Sequence, residues 1–447
     1  MLSLFAPVLG QLITLGVHDR TEGRFVRAEQ PGLVAAPIAP AVVPQTSRFE
    51  AVTTPSAVLT LSWPRYDLAV GYGVSFLLTP LESKPRDLLV LHYATLTTSY
   101  RFRLTTITLN STAIFGDVNF QTEALRNPAS PESSTTGRDP TLPNNGAPSN
   151  GNTANGGSTP AQPGAGTTPP ATPQSQPAVP QTVRYVSSNT TLTVSHRLSR
   201  QLTLGAFATY SLAEGTNTRS RAAYPLTRGD TEGVVASHVY GFTTRDSFNS
   251  TVTGQRAGSS NGNIVWSVVA NEIWAHAFNQ RTSSALGGGI SGSRFSQPDG
   301  LVAYSVFPNF FAGLSHQEQL ARGTLSMLAN AYTAPVLDPL RATIDPRVGV
   351  NGGLGWNRKR FASMLTGGVA LSIAATDANA GAFDNYQAAL VMSYRATDWL
   401  GFDTGARVAE QKYQNQTQVP LSYLVYVGVD LGYGILLKRQ KPPIAPK

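Results

Sequence analysis

The stretch SHRLSRQLTLGAFATYSL, residues 195–212, alternates two kinds of residue along an extended chain. Leu202, Leu204, Ala206, Ala208, Tyr210 and Leu212 fall on one side, and Thr203, Gly205, Phe207, Thr209 and Ser211 on the other. A period of two is that of a half-buried strand and not of a helix. A short polar break at Leu198, Ser199 and Arg200 precedes the run, and the same design returns in SYRATDWLGFDTGARV, residues 393–408. A chain written as one hairpin after another has few ways to fold. Each strand must find a partner on both edges, or leave an unpaired row of amides.

The alternation recurs along most of the chain. Ile107, Leu109, Ala113 and Phe115 oppose Thr106, Thr108, Asn110 and Thr112. Tyr386, Ala388, Leu390, Met392 and Tyr394 oppose Gln387, Ala389, Val391, Ser393 and Arg395. Tight polar turns are expected near residues 64–65, 101–103, 199–200, 245–246, 279–280, 317–319, 358–359 and 397–398. Longer polar connections lie between the hairpins. Eight hairpins supply sixteen strands, and segments 11–20 and 421–433 raise the expectation to eighteen, an even number that allows antiparallel closure.

Composition selects the solvent of these strands. Only 13% of residues are charged and 41% are hydrophobic, and a charge share near half the usual one is foreign to an ordinary soluble domain. No apolar run reaches the length of a membrane helix. The strands are roughly 9–13 residues long, the length at which a tilted strand crosses a bilayer. The predicted fold is therefore all-β, a transmembrane antiparallel up-and-down β-barrel of 16–18 strands. It has short periplasmic turns and long extracellular loops, in the outer membrane of a Gram-negative bacterium. Leu109, Phe115, Leu204, Leu390 and Phe402 are expected to face lipid. Thr108, Asn110, Thr203, Arg197, Ser393, Arg395, Asp403 and Arg407 are expected to line the pore. Rings just before the turns, Trp63, Tyr100, Phe278, Trp356 and Tyr394, form an expected aromatic girdle. His196 and Tyr240 or Phe242 hold equivalent places. His238, His276 and His316 recur at intervals near 40 residues, as in a propeller, but a propeller blade needs four short strands in that span.

The barrel is expected over residues 11–435, after an N-terminal segment, 1–10. That segment reads as a mature start or as the trimmed end of a signal running into a strand. Residues 121–181 interrupt the pattern. No aromatic occurs between Phe120 and Tyr185, and no charge between Asp139 and Arg184. Pro, Gly, Asn, Ser, Thr and Ala cannot bury enough surface to order such a segment, so it reads as a disordered extracellular loop. Residues 436–447 read as a basic periplasmic tail. Basic tails can touch nucleic acid or anionic lipid, but no basic-aromatic face accompanies this one, and no nucleic-acid partner is expected.

The chain carries none of the common catalytic motifs and no cysteine, so neither a disulfide nor a thiolate metal site is available. No catalytic residue, cofactor or metal is expected, and the chain does not read as an enzyme. Asp403 and Arg407 share one strand face four residues apart, which suits an ion pair lining a lumen better than a catalytic acid. GGLGWNRKR, residues 352–360, resembles a phosphate loop only in composition, because it opens no helix.

Hairpins such as SYRFRLTTITL, residues 99–109, and SHRLSRQLTL resemble those of large bacterial outer-membrane barrels encoded with exopolysaccharide systems, some of them eighteen-stranded export porins. The resemblance covers roughly residues 11–435. It departs at the end, where GILLKRQKPPIAPK follows the last strand in place of a terminal aromatic residue. It implies a conduit that exports a polysaccharide together with a periplasmic export protein, placed in the lipid bilayer by the barrel-assembly machinery. The alternative is a non-transporting barrel, an adhesin or a scaffold that displays surface loops. Deleting residues 140–181 is expected to leave assembly intact, because the segment contributes no core. Unchanged heat-modifiable mobility in SDS gels would bear this out, and loss of the folded band would refute it.

Overall fold

A computed structural model describes residues 12–28, 46–78, 88–119, 182–217, 227–260, 262–338, 343–372, 383–413 and 421–439. They form β1 (Leu12–Ala28), β2 (Thr46–Ser62), β3 (Tyr66–Leu78), β4 (Leu89–Arg101), β5 (Thr105–Asn119) and β6 (Thr182–Arg197). There follow β7 (Leu202–Gly215), β8 (Thr227–Gly241), β9 (Asp246–Ser259), β10 (Ile264–Ala277), β11 (Thr282–Ser296) and β12 (Val302–Leu320). The last are β13 (Gly323–Asp338), β14 (Thr343–Arg358), β15 (Phe361–Ser372), β16 (Phe383–Arg395), β17 (Leu400–Tyr413) and β18 (Leu421–Arg439). Each strand pairs antiparallel with the next, and β1 pairs with β18 as well as β2. The 18-stranded sheet thus closes as an up-and-down barrel without a free edge, and the described residues form no propeller blade.

Three boundaries differ from those expected. β1 continues eight residues past Arg20, because the period of two persists there, with Arg20, Glu22 and Arg24 on the inner face. β18 continues to Arg439, four residues into the segment read as a tail. The sixth turn lies at 321–322 and not at 317–319, since Gln317 and Gln319 point inward and Glu318 pairs outward with Arg281. Polar residues do not end a strand whose inner face is polar throughout. The loop expected at 121–181 and the N-terminal segment 1–10 lie outside the described residues.

Four of the tight turns are built by one device. Ser199 Oγ accepts the backbone N–H of Gln201 and Leu202 at 3.1 and 3.0 Å. Thr243 Oγ1 accepts those of Arg245 and Asp246 at 3.0 and 2.8 Å. Asn279 Oδ1 accepts those of Arg281 and Thr282 at 2.8 and 2.9 Å, and Thr397 Oγ1 those of Trp399 and Leu400 at 3.4 and 3.0 Å. A short polar side chain two and three residues ahead of free amides substitutes for a backbone turn. The repeated hairpin in the sequence is this capping geometry. The 359–360 turn uses another solution, with Lys359 in the left-handed region at φ 44°.

Side chains converge on the concave face of a curved sheet, so contacts that skip a strand mark the inside. Arg20 on β1 reaches Asp403 on β17 across β18, and Asn309 on β12 reaches Asn271 on β10 across β11 at 3.0 Å. On that criterion Thr108, Asn110, Thr203, Ser393, Asp403 and Arg407 point inward, and so by register do Arg197 and Arg395. Leu109, Phe115, Leu204, Leu390 and Phe402 point outward, and nearly all the exposed large apolar side chains share their face.

The wall is not a round cylinder. β10 and β14, four strands apart, come within 8 Å between Cα atoms. The intervening strands therefore form a tightly curved lobe. Glycines make this bend possible: a Cβ on inward Gly289 would lie 2.0 Å from the Ala270 carbonyl oxygen, and one on Gly287 2.5 Å from that of Glu272. Beside the lobe, the outer wall is concave.

Val252 and Thr251, at one height on β9, point outward and inward respectively. Val252→Arg is expected to cost about 2–4 kcal/mol of barrel stability in a bilayer, and Thr251→Arg far less. Folding titrations in lipid vesicles would show this, and equal losses would contradict the face assignment.

Candidate functional site

The inner face divides into two walls of different chemistry. β4 to β7 present hydroxyls and amides: Thr95, Thr97, Thr108, Asn110, Thr191, Thr193 and Thr203. Asn110 and Thr97 are exposed to the lumen, and Thr191 and Thr209 share a hydrogen bond of 3.0 Å. Short, uncharged groups that exchange hydrogen bonds with one another leave no fixed charge on this side between its ends, Arg101 and Arg197 standing at the turn-side rim.

β17, β18, β1 and β2 form the other wall, and it is ionic. Arg20 pairs with both Glu22 and Asp403, and Glu22 pairs with Arg24. The Arg20 guanidinium also stands 5.6 Å from the centroid of the Tyr426 ring. Glu50 lies opposite Arg24 in register and is fully buried. Side chains on alternate strands meet here because the strand between them is thin. A Cβ on Gly428 would fall 2.8 Å from Asp403 Oδ1 and 3.0 Å from Glu22 Cγ, and one on Gly405 would fall 2.6 Å from the Tyr426 ring. The glycines are windows through which the ladder crosses β18 and the tyrosine lies over β17. Toward the loop side, Val26, Leu424 and Tyr426 pack together, so this part of the wall is a small core and not a solvated surface. The paired charges keep one another in register, and their field along the lumen is that of alternating signs.

The turn-side mouth is different again. Arg65, Arg103, Arg200, Arg245, Arg281, Arg322, Lys359 and Arg360 stand in the turns, and Arg101, Arg197, Arg358 and Arg395 end the adjoining strands. The acids at this level are Asp67, Asp246, Glu318, Asp398 and Asp430, the last in register with Arg395 across Gly401. Arg101 pairs with Asp67 and Arg281 with Glu318, so the rim is left strongly positive.

On the outer face, Trp63, Tyr100, Phe278, Trp356 and Tyr394 all stand at the turn-side edge. They join other rings: Trp63 packs on Tyr66 at 5.2 Å, Tyr100 on Phe102 at 4.6 Å, and Trp356 on Phe361 at 5.4 Å between centroids. His196, His238, His276 and His316 occupy the same level on β6, β8, β10 and β12. His196 and His316 are hydrogen-bonded to Thr105 and Thr282, and His276 to Asp246, each partner being the first residue of the preceding strand. These histidines are edge residues like the aromatics, not a cluster. Among the described residues no group of His, Asp and Glu could hold a metal ion.

Sequence reasoning named Asp403 and Arg407 and missed Arg20, Glu22, Arg24 and Glu50. The signal was present as charges at every second position of HDRTEGR. The partner of Asp403 was not, because 383 residues separate it from Arg20.

No family model matches the chain, and no curated protein does. Among solved structures, the outer membrane protein OpdK from Pseudomonas aeruginosa is similar at 6% identity and a TM-score of 0.43, over 94% of this chain and 99% of that one. The FrpB iron transporter from Neisseria meningitidis is similar at 10% identity and a TM-score of 0.48, over 94% and 81%. OpdQ from Pseudomonas aeruginosa is similar at 10% identity and a TM-score of 0.39, over 96% and 98%. Likeness of this degree says nothing of cargo or partner.

Arg20 and Asp403 have side chains only 13% and 12% exposed. Removing one partner of such a pair leaves a poorly solvated charge, a loss of roughly 3 kcal/mol. Arg20→Gln and Asp403→Asn are therefore each expected to destabilise the barrel by about that amount. In the double-mutant cycle their effects are expected to be non-additive by about 1–3 kcal/mol, measured by urea unfolding in micelles.

Proposed function

We propose that the chain is an outer-membrane channel of a Gram-negative bacterium, with its tight turns in the periplasm and a water-filled path between the two inner walls. The main support is the division of faces in a closed sheet. The outside is a largely apolar belt, interrupted by Asp19 and Glu272 and edged by rings and basic turns, and the inside carries hydroxyls opposite a self-paired ionic ladder. Only a closed sheet satisfies its backbone in lipid, and amphipathic rings belong at the bilayer edge. On this reading Trp63, Tyr100, Phe278, Trp356 and Tyr394 are the periplasmic girdle. Thr108, Asn110, Thr203, Arg197, Arg395, Asp403 and Arg407 line the pore.

The cargo that suits these surfaces is rich in hydroxyls and negatively charged. A sugar chain can trade hydrogen bonds along the threonines of β4 to β7 without meeting a deep well. The cationic turn-side rim would raise the local concentration of an anionic polymer before it enters. Export of an acidic polysaccharide handed over by a periplasmic partner combines this chemistry with the resemblance noted in the hairpins.

The rim field is screened over about 8 Å at physiological salt, so only arginines beside the path contribute. The inward-facing pair, Arg197 and Arg395, is expected to make the pore weakly anion-selective, and Arg197→Gln with Arg395→Gln to reduce that selectivity. Reversal potentials across planar bilayers in a salt gradient test this. A cation-selective pore would contradict the charge argument, and a barrel that never conducts would favour a surface scaffold.

A further inference from the structure

The most basic part of the turn-side rim is a pair of neighbouring turns. The β12–β13 turn carries Arg322, and the β14–β15 turn carries Arg358, Lys359 and Arg360, with no acid on either. All four side chains are exposed, and among the described residues none of them stands in an ion pair. The flanking acids are already matched. Glu318 pairs with Arg281, and Asp398 follows Arg395 by three residues.

Gly323 brings the two turns together. A Cβ there would fall 2.5 Å from the Asn357 carbonyl oxygen, 3.0 Å from Trp356 Nε1 and 3.2 Å from Arg358 Cβ. Arg322 therefore stands beside Arg358. Arg360 reaches the other way along the rim, where its Nη1 donates to the Ala396 carbonyl at 2.7 Å.

The cations adjoin a shelf of rings on the outer face. Arg358, Phe361, Tyr394 and Phe402 are successive cross-strand neighbours on β14 to β17. Trp356 is the next outward residue above Arg358, with its ring packed on Phe361. Further from the turns, Met327, Leu354, Leu365 and Leu390 form another cross-strand row, each exposed. The outer surface thus runs from cation to ring to aliphatic. That is the order of phosphate, interface and acyl chain in one bilayer leaflet.

We propose that this patch binds one anionic phospholipid of the turn-side leaflet. Its phosphate lies between Arg322 and Arg358, and its acyl chains lie on Leu354, Leu365 and Leu390. Arginine forks match phosphate oxygens, and Trp356 offers an apolar ring with a polar N–H at the level between. Lys359 and Arg360 add positive charge, which favours a headgroup of net negative charge over a zwitterionic one. A soluble acidic protein fits less well, because Arg358 shares the outer face with Phe361 and Tyr394, which the bilayer edge would cover.

The inference rests on the reading that the barrel spans a membrane, and the experiment separates the two. The full chain, folded in nonionic detergent micelles, is titrated with phosphatidylglycerol, with phosphatidylethanolamine of the same acyl chains, and with inorganic phosphate. Bound ligand is counted by native mass spectrometry. One phosphatidylglycerol is expected to remain bound, favoured over phosphatidylethanolamine by about tenfold, equal to roughly 1.4 kcal/mol, and inorganic phosphate is expected to give no adduct. Arg322→Gln with Arg358→Gln is expected to abolish that preference while the heat-modifiable band is kept, and Arg322→Lys with Arg358→Lys to restore part of it. Arg200→Gln with Arg245→Gln removes the same charge from two other exposed turns and is expected to leave the preference as it was. Equal retention of the two lipids by the wild type would overturn the proposal in favour of a soluble acidic partner. A preference unchanged in the Arg322 and Arg358 pair, an equal loss in the Arg200 and Arg245 pair, or binding of phosphate alone would each overturn it as well. Failure of the wild type to form a heat-modifiable barrel in micelles would overturn the membrane reading instead.

Discussion

The pairing of β1 with β18 is the contact on which the rest depends. It spans nearly the full length of both strands, from Leu12 opposite Arg439 to Arg27 opposite Tyr423. Without it the sheet would expose two edges of unpaired amides, which neither lipid nor water-poor packing tolerates. With it, every strand has two partners and the two faces become an inside and an outside. The ionic ladder lies across this seam. Arg20, Glu22 and Arg24 come from the first strand and Asp403 from the penultimate one, so closure and the charged wall are one structure. A chain that failed to close would bring none of these charges together.

Glycine has two uses in the wall, and they explain how an eighteen-stranded sheet departs from a cylinder. Inward-facing Gly428, Gly405, Gly287 and Gly289 sit where neighbouring side chains or backbone would collide with a Cβ. They let the sheet bend sharply or let side chains cross a strand. Outward-facing Gly254 and Gly292 are unopposed and leave a trough. The lobe between β10 and β14 and the valley beside it are the inner and outer consequences of the same local curvature.

Charge is distributed by function of place. Inside, opposite signs are adjacent and largely cancel. At the turn-side rim, basic residues outnumber acids in total, although Arg395 stands beside Asp398 and Asp430. On the proposed channel reading, a solute entering from that side meets a cationic mouth first, then a path with hydroxyls on one flank and a neutralised ladder on the other.

Strand number, direction and face were legible in the sequence, because a period of two and a polar turn are local properties. Thr203 and Leu204 had to face opposite ways whatever the strands paired with, and each of Ser199, Thr243, Asn279 and Thr397 caps amides within three residues of itself. The boundaries that sequence reading misplaced, at Arg20 and at 317–319, are those where polar residues continue a strand because the lumen accepts them. The site was legible only in part. Asp403 was visibly inward, but Arg20 became its partner through closure of the ring, a contact between the two ends of the chain. The lobe, the glycine windows and the outer valley were likewise decided by curvature, which arises from how neighbouring strands pack and is written in no single strand.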